Sequence, residues 1–244
     1  MKNIKAILGF AFLVGLILVG VKNLDKIGSH QLAQINNKNY NDIIIKKGNE
    51  NKKIIALTFD DGPDEDFTPQ ILDILKKYNA KATFFVVGQK VEWNPEIVKR
   101  AYDEGHEIGN HTFTHINICK NSNEKILKEI SETQQAIKNV TGYEPNLFRP
   151  PYRAMNESLF NIIKSNNMKV VLWSDIDTKD WSNPGAYNIV KSIEDKASNG
   201  TIVVLHDYNK IRNDKSQTII ALEEIIPKMQ SLGYEFVTVS EITK

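Results

Sequence analysis

I-I-A-L-T-F-D-D-G-P, residues 54–63, joins a six-residue apolar run to two adjacent carboxylates and a turn-forming Gly-Pro pair. The run is uniformly apolar rather than alternating, as expected of a strand covered on both faces in a parallel sheet. Six further stretches share its length and character: ATFFVV (82–87), HEIGN (106–110), NLFR (146–149), KVVLW (169–173), TIVVLH (201–206) and YEFVTV (234–239). Helical patterns separate them. Thr68-Pro69 offers an N-cap and a first-turn proline ahead of QILDILKKY, and Asn94-Pro95 repeats the device, with Gly105 as a stop. Residues 123–140, 156–165, 188–197 and 217–232 supply the remaining helices, the last kinked or shortened by Pro227. Strands alternating with helices in this way predict an α/β fold of parallel βα units.

The composition sets the outer bounds. At 244 residues, with 41% hydrophobic and 25% charged residues, the chain supports one sizeable core, so a single catalytic domain is expected over residues 53–244. Its net charge of +1 generates no field that would gather nucleic acid. Cys119 is the only cysteine, which excludes an intramolecular disulfide and leaves any metal site to His and carboxylates. As a lone thiol it reads as a small buried apolar residue.

Residues 1–22 have a different character. Lys2 and Lys5 precede the uncharged run AILGFAFLVGLILVGV (6–21), and Lys22 closes it. The run is longer than a signal-peptide apolar region of about 7–15 residues and shorter than the roughly 20 of a full span. No A-x-A-like cleavage site follows, which favours a retained membrane anchor over a cleaved signal, and both over a buried helix. The leading basic residues place the N-terminus inside and the rest of the chain outside the membrane. Residues 23–52 read as a polar tether, rich in Asn and Lys, ending in one short strand or packing segment at Ile43-Ile44-Ile45.

The unusual polar residues fall at one kind of place. Asp60 and Asp61 follow the first strand, His111 and His115 the third, Arg149 the fourth, Asp177 and Asp180 the fifth, and His206 ends the sixth. All are at carboxyl ends, which share one face of a βα barrel, where active sites are assembled. Asp60 and Asp61 alternate in direction, so one can ligate a metal while the other faces substrate, although D-D-G-P is also ordinary turn chemistry. His111 and His115, spaced i, i+4, meet on one face if the segment takes a helical turn; taken alone, the pattern is read more readily as two structural or solvated histidines. With Asp61 they make two nitrogens and one oxygen, a three-ligand set with an open position. His106 begins its strand, points to the other end and reads as structural, while His30 lies in the tether.

T-F-D-D-G-P (58–63), H-T-F-T-H (111–115), R-P-P-Y (149–152), D-T-K-D-W (177–181) and V-L-H (204–206) together resemble the polysaccharide deacetylases that share the NodB homology domain, carbohydrate esterase family 4. They follow the family's order from residue 58 to residue 206. The resemblance implies a distorted, TIM-like (β/α) barrel of seven or eight strands. It implies that Asp61, His111 and His115 hold a divalent metal, usually zinc, for which cobalt and other first-row ions compete. Asp60 is then the general base, with Arg149 beside it favouring its charged form, and His206 the general acid, oriented by Asp180. The Tyr152 N–H would join the metal at the oxyanion, a donation that Pro150 and Pro151 cannot make. Trp181 is expected to wall the acetyl pocket, with Pro151 and Val204 also lining it. Val204 stands where the family usually has Leu, which implies a slightly wider pocket. Asp177 receives no chemistry.

The implied partner is an acetylated extracellular glycan, with peptidoglycan N-acetylglucosamine or N-acetylmuramic acid first. A chitooligosaccharide deacetylase and an O-acetyl xylan esterase are the alternative enzymes. An inactive glycan-binding module on the same fold is disfavoured, because base, acid, three ligands and both orienting residues are present.

Overall fold

The computed structural model describes residues 40–209 and 216–244. The expected anchor at 1–22, His30 and most of the expected tether lie outside the described residues. Among the described residues eight strands form one parallel sheet: β1 (Ile44–Ile45), β2 (Ile54–Asp60), β3 (Ala82–Val86), β4 (Glu107–Asn110), β5 (Leu147–Phe148), β6 (Lys169–Val171), β7 (Thr201–His206) and β8 (Glu235–Phe236). Their order is β1-β6-β5-β4-β3-β2-β7, with β8 also pairing to β2. Every residue of β2 is buried, as its unbroken apolar run requires. Among the described residues the α-helices are α1 (Phe67–Lys77), α2 (Gly88–Trp93), α3 (Pro95–Asp103), α4 (Asn123–Thr141), α5 (Glu157–Ser165), α6 (Ala186–Lys196), α7 (Gln217–Ser231) and α8 (Val239–Ile242).

The sheet curls without closing into the expected barrel. Beyond β6 the chain touches β7 through the Ser174 N–H to Ile202 O bond (3.0 Å) and an isolated Asp177–Val204 bridge. Strands as short as β5 and β6 give little ladder from which to complete a ring, so the result is a half-barrel of parallel strands. The last part of the expected tether belongs to the folded domain: Ile43 is buried, and Ile44 and Ile45 pair with Val170 and Val171.

Local departures have local causes. Helix α1 begins at Phe67, so Thr68 is not its cap; Asp64 Oδ1 accepts the N–H groups of Asp66 and Phe67, and the Thr68 hydroxyl is engaged by Asp207 Oδ2 at 2.7 Å. Pro227 lies inside α7 and does not end it. It cannot donate to the carbonyl of Glu223, four residues back, and the Tyr78 hydroxyl donates there instead (3.3 Å). The final apolar run is strand only at Glu235–Phe236; Val239 and Ile242 of α8 pack with Ile54, Ala56 and Ile202, covering the amino-terminal end of the sheet. Cys119 is exposed, contrary to its reading as a buried thiol, because it sits on a short surface turn, Ile118–Lys120.

Candidate active site

The parallel register assembles the site. Asp60 and His206 are direct partners on β2 and β7, and Asn110, which precedes His111, pairs with Phe148, which precedes Arg149. Asp60, His111, Arg149 and His206 thus emerge together at the carboxyl end.

Asp61, His111 and His115 form one cluster, with their ligand atoms within 4.8 Å of one another. Asp61 Oδ1 lies 3.0 Å from His115 Nε2 and 3.4 Å from His111 Nε2. A tetrahedral ion with bonds near 2.0–2.1 Å separates its ligands by about 3.3 Å, so the spacing fits. The tautomers fit as well. His111 Nδ1 faces the Arg149 carbonyl at 2.7 Å, to which it can only donate, so a neutral ring turns a bare Nε2 lone pair toward the Asp61 carboxylate. Acceptor facing acceptor is what a cation resolves. His115 Nδ1 meets the Tyr152 hydroxyl at 3.1 Å, which leaves its Nε2 likewise directed at Asp61. If protons rather than a cation fill the space between these groups, hydrogen bonds and charge attraction from both imidazoles outweigh burial, which alone would raise the Asp61 carboxyl, and hold it well below the usual carboxylate range.

The two histidines do not share a helical turn. Residues 111–115 are a loop in which Thr112 (φ 65°) and His115 (φ 55°) are left-handed, and Asp61 (φ 76°) is too. Backbone reversals rather than the i, i+4 period bring the ligands together. Gly62 is required behind them, since a Cβ there would fall 2.0 Å from Asp207 Oδ2.

Asp60 is buried and accepts from the Arg149 guanidinium at 2.7 Å. Arg149 is fully enclosed: it also donates to Thr58 Oγ1 (2.6 Å) and Val171 O (3.2 Å), and lies 4.1 Å over the Phe85 ring. His206 Nδ1 lies 2.7 Å from Asp180 Oδ1, and its N–H donates to Asp180 Oδ2 at 2.8 Å. Burial pushes the His206 imidazole down, but its bond to Asp180 and the charges of Asp180, Asp60 and Asp61 together raise it to about 9.

An open cavity of about 960 Å³ is lined by Asp60, Asp61, His111, His115 and His206, with Tyr152, Trp181 and Val204. Arg149 and Asp180 stand behind the lining, bonded to Asp60 and His206, which border it. Pro151 is buried and Pro150 lines the cavity in its place, because Pro151 starts the tight turn that projects Tyr152 outward. Trp181 is 59% exposed, an open wall rather than a packed core residue. Asp177 lines the cavity and accepts the Lys179 N–H at 3.0 Å. His106 is buried and accepts the Ala82 N–H at 3.3 Å through Nδ1; burial holds it near 4, neutral and structural.

Sequence reasoning passed over Lys90, which donates to the Asp61 carbonyl at 2.7 Å, and Arg153, Trp173 and Asp207. Asp207 is wholly buried, which pushes its carboxyl up to about 7, and its Oδ1 has no hydrogen-bond partner among the described residues. Adjacency to R-P-P-Y and V-L-H is the signal that could have flagged Arg153 and Asp207.

A half-barrel with a His-His-Asp cluster between a buried-pair carboxylate and a carboxylate-held imidazole defines the class of metallohydrolases. Within that class, the family model for polysaccharide deacetylase matches residues 47–171, and the chain belongs to that family. A peptidoglycan-N-acetylglucosamine deacetylase of Bacillus cereus is 46% identical over 195 residues, 80% of this chain and 90% of that one. The peptidoglycan-N-acetylmuramic acid deacetylase PdaC of Bacillus subtilis is 42% identical over 79% of this chain, which spans only 39% of PdaC. Among solved structures, a peptidoglycan N-acetylglucosamine deacetylase in complex with 4-naphthalen-1-yl-N-oxidanyl-benzamide superposes with a TM-score of 0.79 at 37% identity, covering 82% of this chain and 92% of that one.

Proposed function

We propose that this chain removes N-acetyl groups from peptidoglycan amino sugars, N-acetylglucosamine or N-acetylmuramic acid, outside the cytoplasmic membrane, to which residues 1–22 anchor it. The names of its relatives support the substrate class. The observation that carries the chemistry is the pairing in register of Asp60 and His206 on either side of the three-ligand cluster.

A divalent ion held by Asp61, His111 and His115, zinc by preference, supplies a Lewis acid for the acetyl carbonyl and lowers the pKa of the hydrolytic water. Asp60, held by the Arg149 guanidinium at 2.7 Å, takes a proton from that water as its oxygen attacks the acetyl carbon. The Tyr152 N–H donates to the carbonyl oxygen as negative charge develops there. His206 begins protonated and gives its proton to the departing nitrogen as the C–N bond breaks, with Asp180 holding Nδ1 so that Nε2 faces the substrate. Acetate and a free amine result. Val204 and Trp181 flank the space for the acetyl methyl.

The test is acetate release from purified peptidoglycan, chitooligosaccharides and acetylated xylan, with and without a chelator. Chelator-sensitive release from peptidoglycan, restored by zinc, is expected. Release from xylan alone would replace the amide reading with an ester one, and no chelator-sensitive release from any of the three would overturn both.

A further inference from the structure

Arg153 ends the Pro151–Arg153 turn and lies exposed at the lip of the cavity. Its backbone is left-handed (φ 55°), directly after Tyr152 (φ 58°). Residues bearing a Cβ seldom occupy this region, and two in succession are rarer still. The Tyr152 conformation is explained by His115, whose ring its own meets edge-on at 4.7 Å. That of Arg153 brings its guanidinium over Trp173, 5.1 Å from the ring centroid. Among the described residues it has no carboxylate partner.

The other charges around the cavity are committed. Lys90 donates to the Asp61 carbonyl and lies 3.4 Å over the Tyr208 ring. Asp60 is tied to Arg149, Asp61 to the two histidines, and His206 to Asp180. Asp177 turns an oxygen to the Lys179 amide. Arg153 therefore offers a guanidinium whose orientation is set by an aromatic face and whose N–H fork is open, the geometry that takes a carboxylate through two parallel hydrogen bonds.

We infer that Arg153 is a specificity-determining residue that receives a carboxylate carried by the glycan itself, the free lactyl carboxylate of a peptide-free muramic-type sugar near the acetamide that reacts. The inference rests on the deacetylase reading above and deepens it: a polymer of N-acetylglucosamine alone presents the same acetamide and no such anion.

The experiment compares the zinc-loaded full chain with its Arg153→Gly and Arg153→Lys variants. Glycine is at ease at a φ of 55°, so its variant keeps the turn. Binding of a peptide-free tetrasaccharide of alternating N-acetylglucosamine and N-acetylmuramic acid, and of tetra-N-acetylchitotetraose, is measured by calorimetry, and acetate release by kcat/KM. Arg153→Gly is expected to lose about tenfold in affinity and kcat/KM on the acidic tetrasaccharide and nothing on the neutral one. Arg153→Lys should recover part of the loss, and added salt should narrow the difference. Equal losses on both sugars, no loss on the acidic one, or failure of the wild type to bind it would overturn the inference. Acetate release from neither sugar by the wild type would instead overturn the deacetylase reading, while the binding comparison still decides the role of Arg153.

Discussion

Two carboxylate–cation pairs flank the cavity with the same 2.7 Å separation and opposite orientations. In Asp60–Arg149 the carboxylate borders the cavity and the cation is wholly enclosed; in Asp180–His206 the imidazole borders the cavity and the carboxylate is 2% exposed. The inner member decides what the outer one can do. Arginine does not give up its proton in a protein, so Arg149 can only donate to Asp60 and leaves the acceptor's part to that carboxylate. A buried aspartate bonded to both the ring and the backbone N–H of His206 holds the imidazole in its charged form, ready to donate. One motif, turned around, supplies the base and the acid of the proposed reaction.

Removing the charge from the outer member of the first pair breaks the comparison most severely. Asp60→Asn should lower kcat by about 10²–10⁴, the usual worth of a positioned base. It should also destabilise the fold by about 3 kcal/mol in urea titration, because Arg149 is then an uncompensated buried charge. Bound zinc, measured by atomic absorption, should be unchanged, since Asp60 is not among the three proposed ligands. Near-normal turnover in this variant would remove Asp60 from the chemistry.

The second pair is predicted to fail through pH rather than outright. His206 is raised to about 9, and its donor form is lost as pH climbs through that value, so kcat has its descending limb on the alkaline side. Asp180→Asn removes the main support for the charged ring and should move that limb to lower pH. Stability is linked in the same sense: a raised folded-state value contributes stability that is complete below the unfolded value of about 6.5 and is lost as pH rises through 9. The variant's stability should therefore fall less steeply over that window than the wild type's. A limb that stays in place would separate His206 protonation from Asp180.

The orientation of these pairs was only half legible in the sequence. Strand β2 declares itself through an unbroken apolar run, and the carboxyl-end positions of Asp60, His111, Arg149 and His206 follow from counting strands. What could not be read is depth. Nothing in R-P-P-Y says that Arg149 is buried beneath Asp60 while Arg153, four residues later, stands at the lip; that difference comes from two successive left-handed residues that no periodicity encodes. The same limit explains the histidines: their i, i+4 spacing suggested a helical face, and loop reversals at Thr112 and His115 produced the convergence instead. Asp207 was missed because its burial depends on Gly62 and Thr68, more than a hundred residues away. The curled but open sheet was beyond reach as well, since the lengths of β5 and β6 are set by pairing rather than by local propensity.

The smallest expected effects sharpen the comparison most, because each pair leans on a threonine. The Thr58 hydroxyl accepts from Arg149 and donates to Val203 O at 2.7 Å; the Thr218 hydroxyl donates to Asp180 Oδ2 at 2.8 Å. Thr58→Val keeps shape and burial but leaves a guanidinium N–H and a carbonyl short of partners, for a stability loss of about 1–3 kcal/mol in urea titration. Because arginine does not titrate, the alkaline limb of the pH–rate profile should stay where it is. Thr218→Val takes a donor away from Asp180, leaving more of the carboxylate's charge for His206, so the limb should move upward, opposite in sign to Asp180→Asn, by a fraction of a unit. A shared response, with Thr58→Val displacing the limb or Thr218→Val lowering it, would mean that the two pairs titrate as one network and that their opposed orientations do not assign their roles.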